Sequence, residues 1–126
     1  MNQNKKTGAK VEISSKKPEN LADLLGLVFW KEPELVHVAV GFLNHLRTWG
    51  KTDNPYKVTE WDNYCTRAKI TQSQYHNMLK RLRRVGMVEK TYNKAKGVHE
   101  LRVSERFSDS LGNMKNIWDD FRMGAE

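Results

Sequence analysis

A single cysteine, Cys65, occurs among the 126 residues, which excludes an internal disulfide framework and fits a reducing cytoplasm. No run approaches the roughly 20 apolar residues that span a bilayer. The first apolar segment, Leu21 to Trp30, is only ten residues long, so neither a membrane partner nor a signal peptide is expected. There is no Gly-rich phosphate loop, no nucleophile motif and no cofactor fingerprint. His37, His45, His76 and His99 show no ligand spacing with Cys65 or with carboxylates, so no metal and no cofactor is expected. Asp119-Asp120 falls on an amphipathic stretch and reads as a solvated face rather than an acid/base pair. These absences point away from an enzyme.

What the chain does have is sorted charge. Its formal net charge is +7, with 38% hydrophobic and 29% charged residues, and its length suits one domain rather than two cores. Residues 66–102 carry ten bases against only Glu89 and Glu100, a net +8. One 37-residue stretch therefore holds more than the whole excess. A partner with regularly spaced negative charge, such as double-stranded DNA, favours such sorting.

The pattern along the chain predicts three parts. Residues 1–19 are rich in Lys, Asn and Ser with little to bury, the composition of a disordered basic arm. From 20 to 103 apolar spacing predicts helices, then a hairpin. Asn20 caps a short helix ending near Gly26, and the run Leu27 to Trp30 needs cover. Pro33 opens a helix carrying Leu35, Val38, Ala39, Phe42, Leu43, Leu46 and Trp49, and Lys51 to Lys57 is a loop. A helix with Thr59 and Asp62 as a capping-box variant carries Trp61, Tyr64, Cys65 and Ala68. The next starts at Thr71, where Thr71 and Gln74 form a capping box, and Gly86 stops it. Alternation over Met87–Tyr92 and Val98–Val103 then predicts two strands around the turn Asn93–Gly97. Residues 104–126 form a final helix capped by Ser104. The fold class expected is mainly α with a β-hairpin, α+β.

On the helix after Thr71 the apolar stripe is Tyr75, Met78, Leu79 and Leu82. At 100° per residue, Ser73, Asn77, Lys80 and Arg84 gather on the opposite face, flanked by His76 and Arg81. Asn pairs with adenine, and Arg and Lys with guanine or phosphate.

The run from Ile70 to Lys90, Ile-Thr-Gln-Ser-Gln-Tyr-His-Asn-Met-Leu-Lys-Arg-Leu-Arg-Arg-Val-Gly-Met-Val-Glu-Lys, resembles the recognition helix and first wing strand of winged helix-turn-helix regulators. The run is similar in pattern to MarR-like and archaeal Lrs14-like proteins, and the resemblance covers roughly residues 33–103. It implies a sequence-specific DNA-binding protein, probing the major groove with residues 71–85 and the backbone or minor groove with a wing at 93–97. The contacts implied are Gln72, Ser73, Gln74, His76, Asn77, Lys80, Arg81 and Arg84, with Lys94 and Lys96 from the wing. Two departures stand out. Lys69 replaces a turn glycine, so a longer or strained turn is expected, and Trp61, Tyr64 and Tyr75 replace small aliphatics.

Transcriptional regulation in the cytoplasm, on the nucleoid, is the role expected. A place in a plasmid or phage replication or partition complex, or a protein-interaction module, is the alternative. Phe107, Leu111, Met114, Trp118 and Phe121 are spaced by four, three, four and three residues, a short heptad seam predicting a homodimer.

Overall fold

The computed structural model describes residues 17–124, so most of the basic arm expected over 1–19 lies outside them. The described chain is mixed α+β and mostly helical, with five α-helices and one two-stranded antiparallel hairpin.

Helix α1 (Leu21–Val28) starts where the Asn20 side chain accepts the Asp23 N–H at 2.8 Å. It runs through Gly26 rather than ending there. Leu25 and Phe29, one turn apart, are both buried, and burying each contributes roughly 1.5–3 kcal/mol, more than the cost of about 1 kcal/mol for a helical glycine. A 3₁₀ turn at Pro33–Leu35 leads into α2 (Val36–Trp49). Val38, Ala39, Phe42, Leu43 and Leu46 of α2 are buried, while Trp49 is 42% exposed and drops out of the expected stripe.

Phe42 anchors the core. Three tyrosine rings stand edge-on to it, Tyr56 at 5.4 Å, Tyr64 at 5.2 Å and Tyr75 at 5.4 Å between centroids. Burial of the phenols requires polar partners, and Tyr56 Oη and Tyr75 Oη satisfy each other at 2.7 Å. Burial first, and that hydrogen bond in part, hold the Tyr56 hydroxyl far above its usual range. Burial likewise pushes Tyr75 to about 12, so both stay neutral.

Helix α3 (Trp61–Ala68) is entered through a 3₁₀ turn at Val58–Glu60 and has no side-chain cap. The Thr59–Asp62 capping box expected there does not form, because Thr59 lies inside the 3₁₀ turn and Glu60, not Thr59, takes the N-cap position. Tyr64 and Cys65 are buried, whereas Ala68 is exposed. Burial raises the Cys65 thiol above its ordinary value, which suits an inert packing residue.

The turn after α3 is short, not lengthened. Lys69 closes α3 in the left-handed conformation, φ 60° and ψ 46°. A non-glycine residue there costs on the order of 1 kcal/mol. Lys69→Gly should accordingly raise stability by about 0.5–1 kcal/mol. A higher urea midpoint at unchanged m-value checks this; a lower one would contradict the strain.

Helix α4 (Gln72–Val85) has its capping box in full. Gln74 N donates to Thr71 Oγ1 at 3.0 Å, and Thr71 N donates to Gln74 Oε1 at 2.9 Å. Gly86 ends it at φ 89°. A side chain at Gly86 would also collide with the last helix, since its Cβ would lie 3.1 Å from Arg106 Cβ and 3.2 Å from Phe107 N.

Strands β1 (Val88–Asn93) and β2 (Val98–Val103) pair from Val88↔Val103 to Asn93↔Val98. The expected loop Lys51–Lys57 also contributes: Lys57 bridges Glu100 in antiparallel fashion and Leu101 N donates to Tyr56 O at 3.0 Å. Residues between α2 and α3 thus cover the outer edge of β2, which an open strand edge requires.

Helix α5 (Arg106–Arg122) begins one residue later than expected, with Arg106 N donating to Ser104 Oγ at 3.1 Å. Phe107 N donates to Gly86 O at 3.0 Å, and the Phe107 ring packs on the core. None of its residues is fully buried.

Candidate nucleic-acid interface

Because Tyr75, Met78 and Leu82 of α4 face the core, helical geometry turns Ser73, Asn77, Lys80 and Arg84 outward as one ridge. All four are exposed, as are Gln72 and His76. A depression runs along each flank. The wider, about 530 Å³, is lined by His76, Lys80, Arg83, Arg84, Lys90 and Arg106 among others. The narrower, about 170 Å³, is lined by Glu32, Asn77, Lys80, Arg81 and Arg84. Lys80 and Arg84 border both, so the ridge is basic along its crest and both flanks carry cations.

The acids of the basic stretch are tied up internally. Glu89 accepts from Ser104 Oγ at 2.8 Å and faces Arg106 Nε at 3.7 Å. Glu100 is buried in the hairpin, accepting from Asn93 Nδ2 at 3.0 Å and Arg102 Nη2 at 3.1 Å. The hydrogen bond from Asn93 and then that from Arg102 hold its carboxyl below the ordinary value, against the opposing effect of burial. Among the described residues, Lys80, Arg81, Arg83, Arg84, Lys90 and Lys94 have no acidic partner within 4 Å. The stretch therefore presents unneutralised cations outward.

Three expected contacts need correction. Gln74 is half-buried and its carbonyl is committed to the capping box, so it organises the helix start rather than offering that group outward. Lys96 donates from Nζ to Asp53 O at 2.7 Å, pinning the turn to the α2–α3 connection, so that among the described residues Lys94 is the cation left without a partner at the tip. Phe107 is half-buried and packs in part against the core of its own chain, unlike the exposed Leu111, Met114, Trp118 and Phe121.

Sequence reasoning also missed cations that belong here. Arg83, Lys90 and Arg106 come from α4, β1 and α5, and only the close approach at Gly86 brings them to one depression. Charge alone marked Arg83 and Lys90; nothing local marked Arg106.

Among the described residues no group of three His, Cys, Asp or Glu side chains is placed to hold a metal ion. No helix among them is long and apolar enough to cross a membrane. No curated protein and no solved structure matches the chain significantly. A family model described as an archaeal family matches residues 17–123, which span all the described helices and strands, and the chain belongs to that family.

Proposed function

We propose that this protein is a sequence-specific double-stranded DNA-binding protein of winged helix-turn-helix architecture, acting as a transcriptional regulator. The observation that carries this is the α4 ridge: polar and basic, exposed on its crest, with Arg81, Arg83 and Lys90 on its flanks having no acidic partner among the described residues, while Glu89 and Glu100 are tied internally. Helix α4 is the recognition helix, with Ser73 and Asn77 near its N-terminal half for base edges and Lys80 and Arg84 for guanine or phosphate. The hairpin is the wing, with Lys94 on the backbone or minor groove. Pairing of Tyr56 and Lys57 with β2 supports this layout, because it locks the wing to the helices and sets its distance from α4. A homodimer would present two such helices to half-sites one helical turn apart.

The other reading is an interaction module of a replication or partition complex. The bare apolar face of α5 favours some protein partner, but such a module has no use for the cation ridge.

Substitution separates base reading from holding. Asn77→Ala should cost about 1–3 kcal/mol on a selected duplex and little on random duplex. Lys94→Ala should weaken both alike and reduce the salt slope by about one. Equal losses on both duplexes for Asn77→Ala would place the base-reading face elsewhere.

A further inference from the structure

Beyond Phe107, α5 carries an apolar stripe that none of the described residues covers. Leu111 is 45%, Met114 58%, Ile117 70%, Trp118 60% and Phe121 64% exposed. Three charged residues of its outer half satisfy one another instead: Lys115 Nζ lies 2.8 Å and Arg122 Nη2 3.6 Å from Asp119. The rings of Trp118 and Phe121 stack at 5.6 Å and 25°, forming one flat apolar tip. At the root of the same helix lies a second bare surface, a groove of about 250 Å³ lined by Leu21, Leu24, Leu43, Val103 and Phe107 among others. Leu21 is 39% and Val103 48% exposed there.

We propose that a second copy of this chain packs antiparallel along α5 and seats its Trp118–Phe121 tip in the Leu21–Val103 groove of the first, and reciprocally. This gives an arrangement to the dimer suggested above but rests on the two apolar surfaces, not on DNA binding.

Geometry chooses the direction. Phe107 starts the stripe and also lines the groove, so stripe and groove are one continuous surface. A helix of 17 residues is about 25 Å long. In an antiparallel pair each tip therefore reaches the root of its partner, and the two bodies sit at opposite ends. A parallel pair would crowd both bodies at one end and leave both grooves bare.

Area supports a second copy as occupant. Aromatic side chains such as Trp118 and Phe121 bury about 150–250 Å² each when fully covered, and with the part-exposed Leu111, Met114 and Ile117 the stripe presents on the order of 600 Å² per copy. Twice that, with the groove added, reaches the roughly 1,200 Å² of a specific interface. It also sits at the upper limit of the patches that monomers leave bare, roughly 300–600 Å². Residues 1–16 supply only Met1, Ala9, Val11 and Ile13 as apolar side chains, too little to cover both surfaces.

Sedimentation equilibrium of the full chain without DNA tests this, with circular dichroism to confirm folding. Wild type should be a dimer at tens of micromolar. Trp118→Glu on the tip and Leu21→Glu in the groove should each weaken dimerisation at least about tenfold, the loss expected for one buried large side chain. Leu21 opens α1 and is partly exposed, where an acid suits the helix start. Val103→Lys on the other wall should repeat the Leu21→Glu result without touching a helix. A monomeric wild type overturns the proposal, as does a dimer broken by Trp118→Glu but untouched by both groove variants. A monomer that still binds duplex would overturn the dimer while leaving the DNA reading intact. A dimer with these sensitivities that binds no duplex would support it and sink the DNA reading instead.

Discussion

Lys80→Glu combined with Arg84→Glu is expected to weaken duplex binding by at least about a hundredfold, with little change in stability. Both side chains are exposed and border both depressions along α4. If α4 is the recognition helix as proposed, each lies where a base edge or a phosphate would be met. A bidentate base contact contributes about 1–3 kcal/mol, so losing two and adding repulsion gives two orders of magnitude or more. Surface substitutions of this kind usually alter stability by no more than about 0.5 kcal/mol. Lys51→Glu with Lys115→Glu changes the net charge equally at exposed positions off the ridge. That control should weaken binding only slightly. Equal losses in the two double variants would mean that overall charge, not the ridge, holds the duplex.

Glu100→Ala is expected to destabilise the protein by about 2–4 kcal/mol, and the effect should depend on pH. The carboxylate is buried and accepts two hydrogen bonds, one from Arg102. Hydrogen bonds to charged groups contribute about 1.5–3 kcal/mol each. Arg102 is 42% exposed and is rehydrated once its partner is gone, so the loss stays below that of a fully buried pair, about 3–5 kcal/mol. The folded-state pKa is depressed from its ordinary 4.5. Its stabilisation is therefore present in full above about pH 4.5 and is lost as pH falls through the lower folded value. Glu100→Gln isolates this term. Its stability deficit against wild type in urea should be largest at neutral pH and shrink on acidification below 4.5. A deficit constant down to pH 2 would contradict the charged hydrogen bonds.

Much of this fold is legible because its signals are local. The Thr71–Gln74 capping box, the apolar stripe Tyr75–Met78–Leu82 and the stop at Gly86 stand where the sequence puts them, and the first strand is shifted by one residue, to Val88–Asn93 from the expected Met87–Tyr92. The parts that escape depend on distant contacts. Tyr56 and Lys57 close the expected loop Lys51–Lys57, and only the open edge of β2 makes them strand-like. Glu100 looks like a solvent-facing strand residue by alternation. It is buried beside Leu101 because that same segment covers β2. Lys96 is one basic residue among several in a turn until Asp53, 43 residues earlier, supplies its acceptor. The ridge of the candidate site follows from one helix and was readable. Its wider flank joins three elements through the contact at Gly86, which no spacing rule encodes.

A titration of the intact protein against random duplex, repeated from 50 to 200 mM salt, tests the central claim most directly. If on the order of five phosphates are neutralised per subunit, log K should fall against log salt with a slope of roughly −4 to −5. That slope amounts to a loss of on the order of 10²–10³ in affinity across the range. No binding at 50 mM salt, or a slope near zero, would contradict the reading of the α4 ridge as a DNA-binding surface.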